Sequence, residues 1–331
     1  MILYDEDTSN ETSSKRIQLM QDVGSFDCSC SWLCVCILHL TQTTTTFTFS
    51  EKVPVRSTAH QSSRWCRRSC FQSNTQMLEL DCRLTKDNQV VVFHDCDLQR
   101  CTGHPGPISD FDYSSLPHYL NRLNVFLEPG QDFEPSDPSP SSIISLREVF
   151  EAFPDVAINI DIKVNDDRLI NEVSRLINEF SRHKLTVWGG MRKVIVDKCK
   201  VTNPTVLTYP SPEYVLGFLF AYYIGLLPFL PVSFDCFELP LVSVLRKKNF
   251  LKQHNRDTPT ARVLARVFEF LITSPGFIQH LKRRGIPVFI WVCNTDSEFK
   301  TAFDMGASGV MTDFPTRLQT FLNANPEFTR Q

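Results

Sequence analysis

From residue 77 onwards, short apolar segments that resemble strands alternate with amphipathic segments that resemble helices. Apolar runs predict strands at 77–84, 89–94, 157–163, 185–189, 205–209, 287–293 and 309–312. Helical periodicity predicts helices at 145–153, 167–182, 190–200, 260–271, 276–284, 295–305 and 315–323. Strands that are each followed by a helix indicate a parallel sheet with helical crossovers. The predicted fold is α/β, a TIM (β/α)8 barrel of roughly 250 residues.

A doubly wound sheet is the alternative architecture. No glycine-rich phosphate-binding loop follows an early strand, which favours the barrel. The barrel is predicted over residues 77–323, followed by a tail at 324–331, with a Pro/Ser/acid-rich surface loop at 128–142. Residues 1–76 lack the alternation and are expected to form an atypical, poorly ordered N-terminal segment.

Two acidic residues interrupt the first predicted strand at alternate positions. In "MLELDCRL", Glu79 and Asp81 project from the same face, because successive side chains of a strand point to opposite faces. Two buried carboxylates a few ångströms apart require a cation or a proton between them, and a divalent metal ion supplies the former. The next apolar run ends at His94, which brings an imidazole near these acids if the two strands are neighbours.

The same alternation recurs in "AINIDIK", residues 157–163. Asn159, Asp161 and Lys163 share one face of this strand, so the sequence predicts a third carboxylate and a cation beside the first pair. Two later strands end at Trp291 and Asp313. Polar residues at the C-terminal ends of barrel strands indicate an active site, here with acids on one side and an aromatic wall on the other.

The overall charge and the cysteines exclude other classes of protein. A net charge of −3, with basic residues spread among acidic ones, gives no electrostatic footprint for nucleic acid. The 12 cysteines form no disulfide framework and no zinc-like spacing, so a reduced, cytosol-facing domain is expected. No secretory signal is predicted at the N-terminus.

Residues 214–232, "YVLGFLFAYYIGLLPFLPV", contain no charge. The segment has about the length of a membrane span, but it lies between α/β units of one domain and contains Pro228 and Pro231 near its end. An apolar insertion that lies on the membrane surface is therefore predicted, with a buried core helix as the alternative.

The motifs "LELDCRLTKDNQVVVFHDCDLQRCTG", "INIDIK", "IWVCN" and "GASGVMTDFP" occur in the order found in the glycerophosphodiester phosphodiesterase family. The chain resembles this family from about residue 77 to about residue 322, and it is most similar to the membrane-associated lysophospholipase D branch, which carries a similar "YYIGLLPFLP" segment. The resemblance implies a TIM barrel, a phosphodiester substrate and a membrane-associated protein that faces the cytosol, at the endoplasmic reticulum.

The resemblance also implies roles for individual residues. Glu79, Asp81 and Asp161 would bind a divalent cation, Mg²⁺ or Ca²⁺, and His94 would act as a catalytic acid/base or as a further metal ligand. Lys163 would be catalytic through its contact with the phosphate. Trp291 would line the substrate channel, and Arg100 would contribute to substrate binding.

The first strand motif of the family, H-R-G, is missing or disrupted. Residues 59–74 read "AHQSSRWCRRSCFQSN" in its place, and His60 lacks the following Arg-Gly. One permitted choice of codons for Ser62–Cys70 also encodes H-R-G-G-A-G-E-A when read one base later, and only the glycine that arises from the Trp65 codon is forced. We therefore hypothesise that this part of the chain is read in a shifted frame.

Two functions follow as expectations. The first is a metal-dependent hydrolase of glycerophosphodiesters or lysophospholipids, impaired by the loss of the H-R-G motif. The alternative is a catalytically inactive protein of the same fold that binds lipid or a membrane. No nucleic-acid partner is expected.

Overall fold

The computed structural model describes residues 35–38, 76–124, 132–133, 142–241, 271–272 and 274–329. The strands are β1 Val35–Leu38, β2 Met77–Leu84, β3 Val90–Val92, β4 Leu123–Asn124, β5 Asp132–Phe133, β6 Ala157–Ile162, β7 Thr186–Gly189, β8 Leu207–Thr208, β9 Phe237–Pro240, β10 Val288–Trp291 and β11 Gly309–Thr312. The helices are α1 Gln99–Thr102, α2 Leu146–Ala152, α3 Asp167–Glu179, α4 Lys193–Thr202, α5 Pro212–Tyr223, α6 Pro275–Arg283, α7 Asp296–Asp304 and α8 Pro315–Ala324.

The principal sheet has the order β8-β7-β6-β2-β1-β11-β10-β9. Its two ends meet, because the backbone N–H of Asp235, just before β9, donates to Thr208 O in β8 at 3.0 Å. A second contact crosses the interior, where Asn159 in β6 donates to Glu238 in β9 at 2.8 Å. The fold is the predicted TIM barrel, with the helices on its outside.

Strand β1 occupies the position of the first barrel strand. It pairs with β2 through Val35 and Glu79 and with β11 through Ile37 and Met311, antiparallel to both neighbours. The first strand position is therefore occupied, even though the H-R-G motif is missing from the sequence. A segment upstream of the missing motif satisfies the edges of β2 and β11, which would otherwise expose unpaired backbone groups. The other residues before Gln76 lie outside the described part of the chain.

Alternation along the strands sorts the side chains as predicted. Leu78 and Leu80 in β2 and Ile158 and Ile160 in β6 face outward and form one buried cluster with α2 and α3. The intervening residues, beginning with Met77 and Ala157, face the barrel interior.

The predicted elements are confirmed to within a few residues wherever they are described. Strand β9, Phe237–Pro240, was not predicted, because "FELP" is short and ends in proline. The predicted helix at 260–271 lies outside the described residues except at its last position, and most of the loop at 128–142 also lies outside them. The barrel packing extends into the predicted tail, where the Phe328 ring stacks on Phe303 and Phe321.

The apolar segment 214–232 contains all but the first two residues of helix α5, which lies between β8 and β9. Val215 and Leu219 of α5 are buried in the core, whereas Phe220 is 67% exposed. The segment supplies most of the helix between β8 and β9, with a buried face as in the core-helix alternative, and an apolar insertion at a membrane surface stays a prediction. None of the described helices has the length and apolar character needed to cross a bilayer.

Candidate active site

Four polar residues inside the barrel come from two adjacent strands. The parallel pairing of β2 with β6 sets Glu79 beside Asn159 and Asp81 beside Asp161. These side chains lie on the interior face because each strand has its apolar residues on the outer face. The predicted convergence of Asp81 and Asp161 is thus a consequence of strand register.

Lys163 lies between these two aspartates. Its Nζ is 2.7 Å from Asp81 Oδ1 and 2.6 Å from Asp161 Oδ2, and the Lys163 side chain is only 11% exposed. Charged groups with so little solvent contact interact strongly, so Lys163 holds the two carboxylates in place.

The cluster contains more negative than positive charge. Burial of Glu79, followed by repulsion from Asp81, raises the pKa of the Glu79 carboxyl well above its ordinary value of 4.5. Three carboxyl groups therefore face one ammonium group, and the excess negative charge favours a proton or a further cation at this position.

The donor set of Glu79, Asp81 and Asp161 fits a hard divalent cation, which prefers carboxylate oxygens. Asp161 Oδ1 is buried and has no hydrogen-bond partner, so it is available as a ligand. Among the described residues, however, no three His, Cys, Asp or Glu side chains are arranged as a ready-made ion site. Metal binding by Glu79, Asp81, Asp161 and His94 stays a prediction.

Glu238 is a fourth acid in the interior, and the sequence interpretation did not identify it. It lies on β9 across the barrel and accepts the hydrogen bond from Asn159 Nδ2. Burial, followed by the charge of Asp161, raises its pKa to about 8. The only signal in the sequence is an acid within the apolar run "CFELPLV", which does not by itself predict a strand that faces β6.

His94 follows β3 and lies close to the carboxylates along the backbone, since the N–H of Phe93 donates to Asp81 O at 2.9 Å. His94 Nδ1 is 2.7 Å from Asp95 Oδ1. Arg100 Nε in turn donates to Asp95 Oδ2 at 2.5 Å. The Nε2 atom of His94 is buried without a hydrogen-bond partner.

The Asp95 carboxylate determines which nitrogen of His94 carries the proton. Burial alone would raise the pKa of Asp95, but hydrogen bonds from His94 and Arg100 outweigh it and hold that pKa well below its ordinary value. An ionised carboxylate only accepts hydrogen bonds, so Nδ1 of His94 carries a proton and Nε2 is the nitrogen that remains for proton exchange.

Arg100, Trp291 and Asp313 lie in different surroundings. Arg100 contacts Asp95, and its predicted substrate contact stays a prediction. Trp291 ends β10 at the C-terminal end of the barrel and packs partly buried against residues of the interior. Asp313 accepts a hydrogen bond from Asn294 Nδ2 at 2.8 Å. The end of β11 therefore takes part in a polar network with Asn294, a residue to which the sequence analysis assigned no role.

Comparisons with known proteins identify relatives of this chain. Lysophospholipase D GDPD1 from Rattus norvegicus is 45% identical over 249 residues, which cover 75% of this chain and 77% of the relative. Lysophospholipase D GDPD3 from Homo sapiens is 33% identical over 249 residues, covering 75% of this chain and 76% of the relative.

Solved structures support the fold. A glycerophosphodiester phosphodiesterase from Parabacteroides distasonis aligns with a TM-score of 0.51 at 16% identity, covering 81% of this chain and 92% of that one. A glycerophosphoryl diester phosphodiesterase domain from Mycobacterium tuberculosis aligns with a TM-score of 0.53 at 13% identity, covering 80% and 97%. The sequence profile of the glycerophosphoryl diester phosphodiesterase family matches residues 69–317, and the chain belongs to this family.

Proposed function

We propose that this protein is a metal-dependent phosphodiester hydrolase that acts on glycerophosphodiesters, with lysophospholipids as its main substrates. One observation carries the proposal: Asp81, Asp161 and Lys163 form a charged cluster, and the segment that follows β3 and carries His94 hydrogen-bonds to the backbone of Asp81. Relatives that bear the name lysophospholipase D support the choice of substrate.

Each residue has a defined task in this reaction. Lys163 neutralises charge on a non-bridging phosphate oxygen, which lowers the barrier to nucleophilic attack on phosphorus. His94 moves a proton through Nε2, to the leaving oxygen or from the attacking hydroxyl, while Asp95 keeps the ring oriented. Trp291 provides an aromatic wall for the substrate at the same end of the barrel.

A divalent cation, Mg²⁺ or Ca²⁺, would be held by Glu79, Asp81 and Asp161, with His94 beside it. When bound, it would supply positive charge to the phosphate. Two observations support this assignment: Asp161 Oδ1 is buried without a hydrogen-bond partner, and the carboxyl groups of the cluster outnumber its one ammonium group.

The apolar segment 214–232 supports a further proposal, that the protein binds to a membrane surface on the cytosolic side, at the endoplasmic reticulum. Exposed large apolar side chains such as Phe220 and Phe229 are typical of interfacial binding. Nothing in the charge distribution supports a nucleic-acid partner.

The test is release of choline from lysophosphatidylcholine by the purified full chain, with Mg²⁺, with Ca²⁺ and with a chelator. We expect turnover that requires the cation and that is lost in Glu79→Gln. Turnover that is unchanged by the chelator and by Glu79→Gln would contradict the proposal.

A catalytically inactive, lipid-binding protein is the second candidate. The absence of H-R-G from residues 59–74 favours it, because the family motif supplies a second histidine and an arginine. The same assay separates the two functions, since binding of lysophosphatidylcholine without any release of choline would support the second.

A further inference from the structure

The exposed apolar side chains that follow α5 lie at the opposite end of the barrel from the candidate active site. Helix α5 begins four residues after β8 ends and returns the chain to the N-terminal ends of the strands. Its 12 residues span about 18 Å. The connection from Ile224 to Asp235 therefore lies at the base of the barrel, whereas Asp161, Lys163 and Trp291 lie toward the C-terminal ends.

Two hydrogen-bonding side chains confirm this location. Arg284, which precedes β10, donates to Leu227 O at 3.2 Å and to Leu230 O at 2.9 Å. Lys200, in the last turn of α4 before β8, donates to Ser233 O at 2.7 Å. Both donors lie just upstream of strands that run from the base, where the N-terminal strand ends lie, to the mouth, where the C-terminal strand ends lie.

Three apolar side chains project from the base: Ile224 is 56% exposed, Leu226 is 45% exposed and Phe229 is 81% exposed. The backbone that carries them is fixed, because Leu226 N–H donates to Ala221 O at 2.8 Å and Leu227 is fully buried between them. Their exposure is thus imposed by the turn. We call Ile224, Leu226 and Phe229 the basal apolar cluster.

Basic residues flank this cluster. Lys282, Arg283 and Arg284 are consecutive at the end of α6, and the side chains of Arg283 and Arg284 are exposed. Asp235, at the same end of the barrel, accepts a hydrogen bond from Thr208 N–H. Arg284 contacts the backbone that carries the basal apolar cluster, so this run of three basic residues lies beside the cluster.

We propose that the basal apolar cluster and the Lys282–Arg284 cations dock the protein onto the interface of an anionic phospholipid bilayer. Exposed apolar side chains enter the boundary between headgroups and acyl chains, and adjacent cations pair with anionic headgroups. Exposed apolar side chains beside a run of cations are the combination that binds the interface of an anionic bilayer.

Docking at the base directs the catalytic mouth away from the bound bilayer. This step rests on the proposed phosphodiesterase function. A lipid embedded in the bound leaflet cannot reach the mouth, so the substrate arrives through water. Single-chain lysophospholipids dissolve as monomers far more readily than two-chain phospholipids, which makes them the substrate class that fits this orientation.

The experiment measures co-sedimentation of the full chain with vesicles of phosphatidylcholine, with and without phosphatidylserine. The double variant Ile224→Glu, Phe229→Glu should bind phosphatidylserine vesicles at least about tenfold more weakly. It should hydrolyse dissolved monomeric lysophosphatidylcholine within about twofold of the wild type, because these residues are remote from the site.

Leu120→Glu is the matched control. Leu120 is also a large exposed apolar residue, but it lies in the excursion between β3 and α2. This excursion is at the mouth, since Lys86 N–H at the tip of the β2–β3 hairpin donates to Phe111 O. Vesicle binding should be unchanged in Leu120→Glu.

The outcomes separate the docking proposal from the enzymatic one. The docking proposal is wrong if the wild type does not bind phosphatidylserine vesicles, or if Leu120→Glu rather than the double variant abolishes binding. It is also wrong if gel filtration shows that the base is the contact between two copies of the chain. Faster cleavage of a bilayer-embedded two-chain lipid by the wild type than by the double variant would overturn the orientation. Vesicle binding that depends on the cluster, without hydrolysis of any glycerophosphodiester, would support docking and refute the enzyme.

Discussion

Lys163 Nζ lies 2.6 Å from Asp161 Oδ2, two residues earlier in the same chain, and also contacts Asp81 on the neighbouring strand. The ammonium group therefore joins β2 to β6 at the end of the barrel that carries the site. Its removal leaves two aspartates and Glu79 close together in a region with little solvent.

Replacement of Lys163 by Met should lower the free energy of unfolding at neutral pH by about 3 kcal/mol, since it leaves buried carboxylates without their counter-ion. Added Mg²⁺ or Ca²⁺ should recover part of this loss if the carboxylates bind the ion. Chemical denaturation with and without the cation measures both effects. Lys300→Met, which breaks the exposed pair with Asp304, is the control and should cost less than about 1 kcal/mol.

The raised pKa of Glu238 predicts a pH dependence of stability. The folded state holds the Glu238 proton up to about pH 8, whereas the unfolded chain releases it near the ordinary value of 4.5. The folded state therefore binds more protons between these values, and the free energy of unfolding falls as the pH rises through this window, by up to a few kcal/mol.

Glu238→Gln keeps an acceptor for Asn159 but removes the titration. Denaturation in the presence of a chelator from pH 4.5 to 8.5 should give a flatter curve for this variant than for the wild type. Glu79→Gln, measured in the same way, shows how much of the pH dependence of the free energy of unfolding comes from the raised pKa of Glu79. If the free energy of unfolding falls equally with pH in the wild type and in Glu238→Gln, Glu238 does not titrate in this window.

Asp95→Asn should reduce kcat by about 10²–10⁴-fold with little change in KM, because an amide does not fix the proton of His94 on Nδ1. Steady-state kinetics on lysophosphatidylcholine measure this effect. Asp110→Asn, an exposed acid in the same excursion, should leave kcat unchanged. An equal loss in both variants would point to a structural role for the excursion.

Replacement of residues 62–69 by H-R-G-G-A-G-E-A should raise the rate by about 10²–10⁴-fold, since it restores an acid/base histidine and an arginine. Parallel choline-release assays on the two chains measure the gain. Sequencing of the transcript tests the shifted frame directly. A message that encodes residues 59–74 as printed, with equal activity of both chains, would contradict the hypothesis.

Most of the site on β2 and β6 could be predicted from the sequence. Alternation places Glu79 with Asp81 and Asp161 with Lys163 on single faces, and the parallel pairing then sets the two strands side by side. Glu238 could not be predicted in the same way, because its contact with Asn159 crosses the barrel between residues 79 positions apart. A local pattern carries no information about which strand faces another across a closed sheet.

The sequence by itself determined the α/β alternation, the acidic and histidine motifs and the membership of the family, because strand period and motif spacing are local properties. Tertiary structure decided three further features: β1 fills the first strand position, Lys163 lies between two aspartates, and the apolar segment projects from the base of the barrel. Each depends on closure of the sheet, which brings distant parts of the chain together and assigns every strand end to the mouth or to the base.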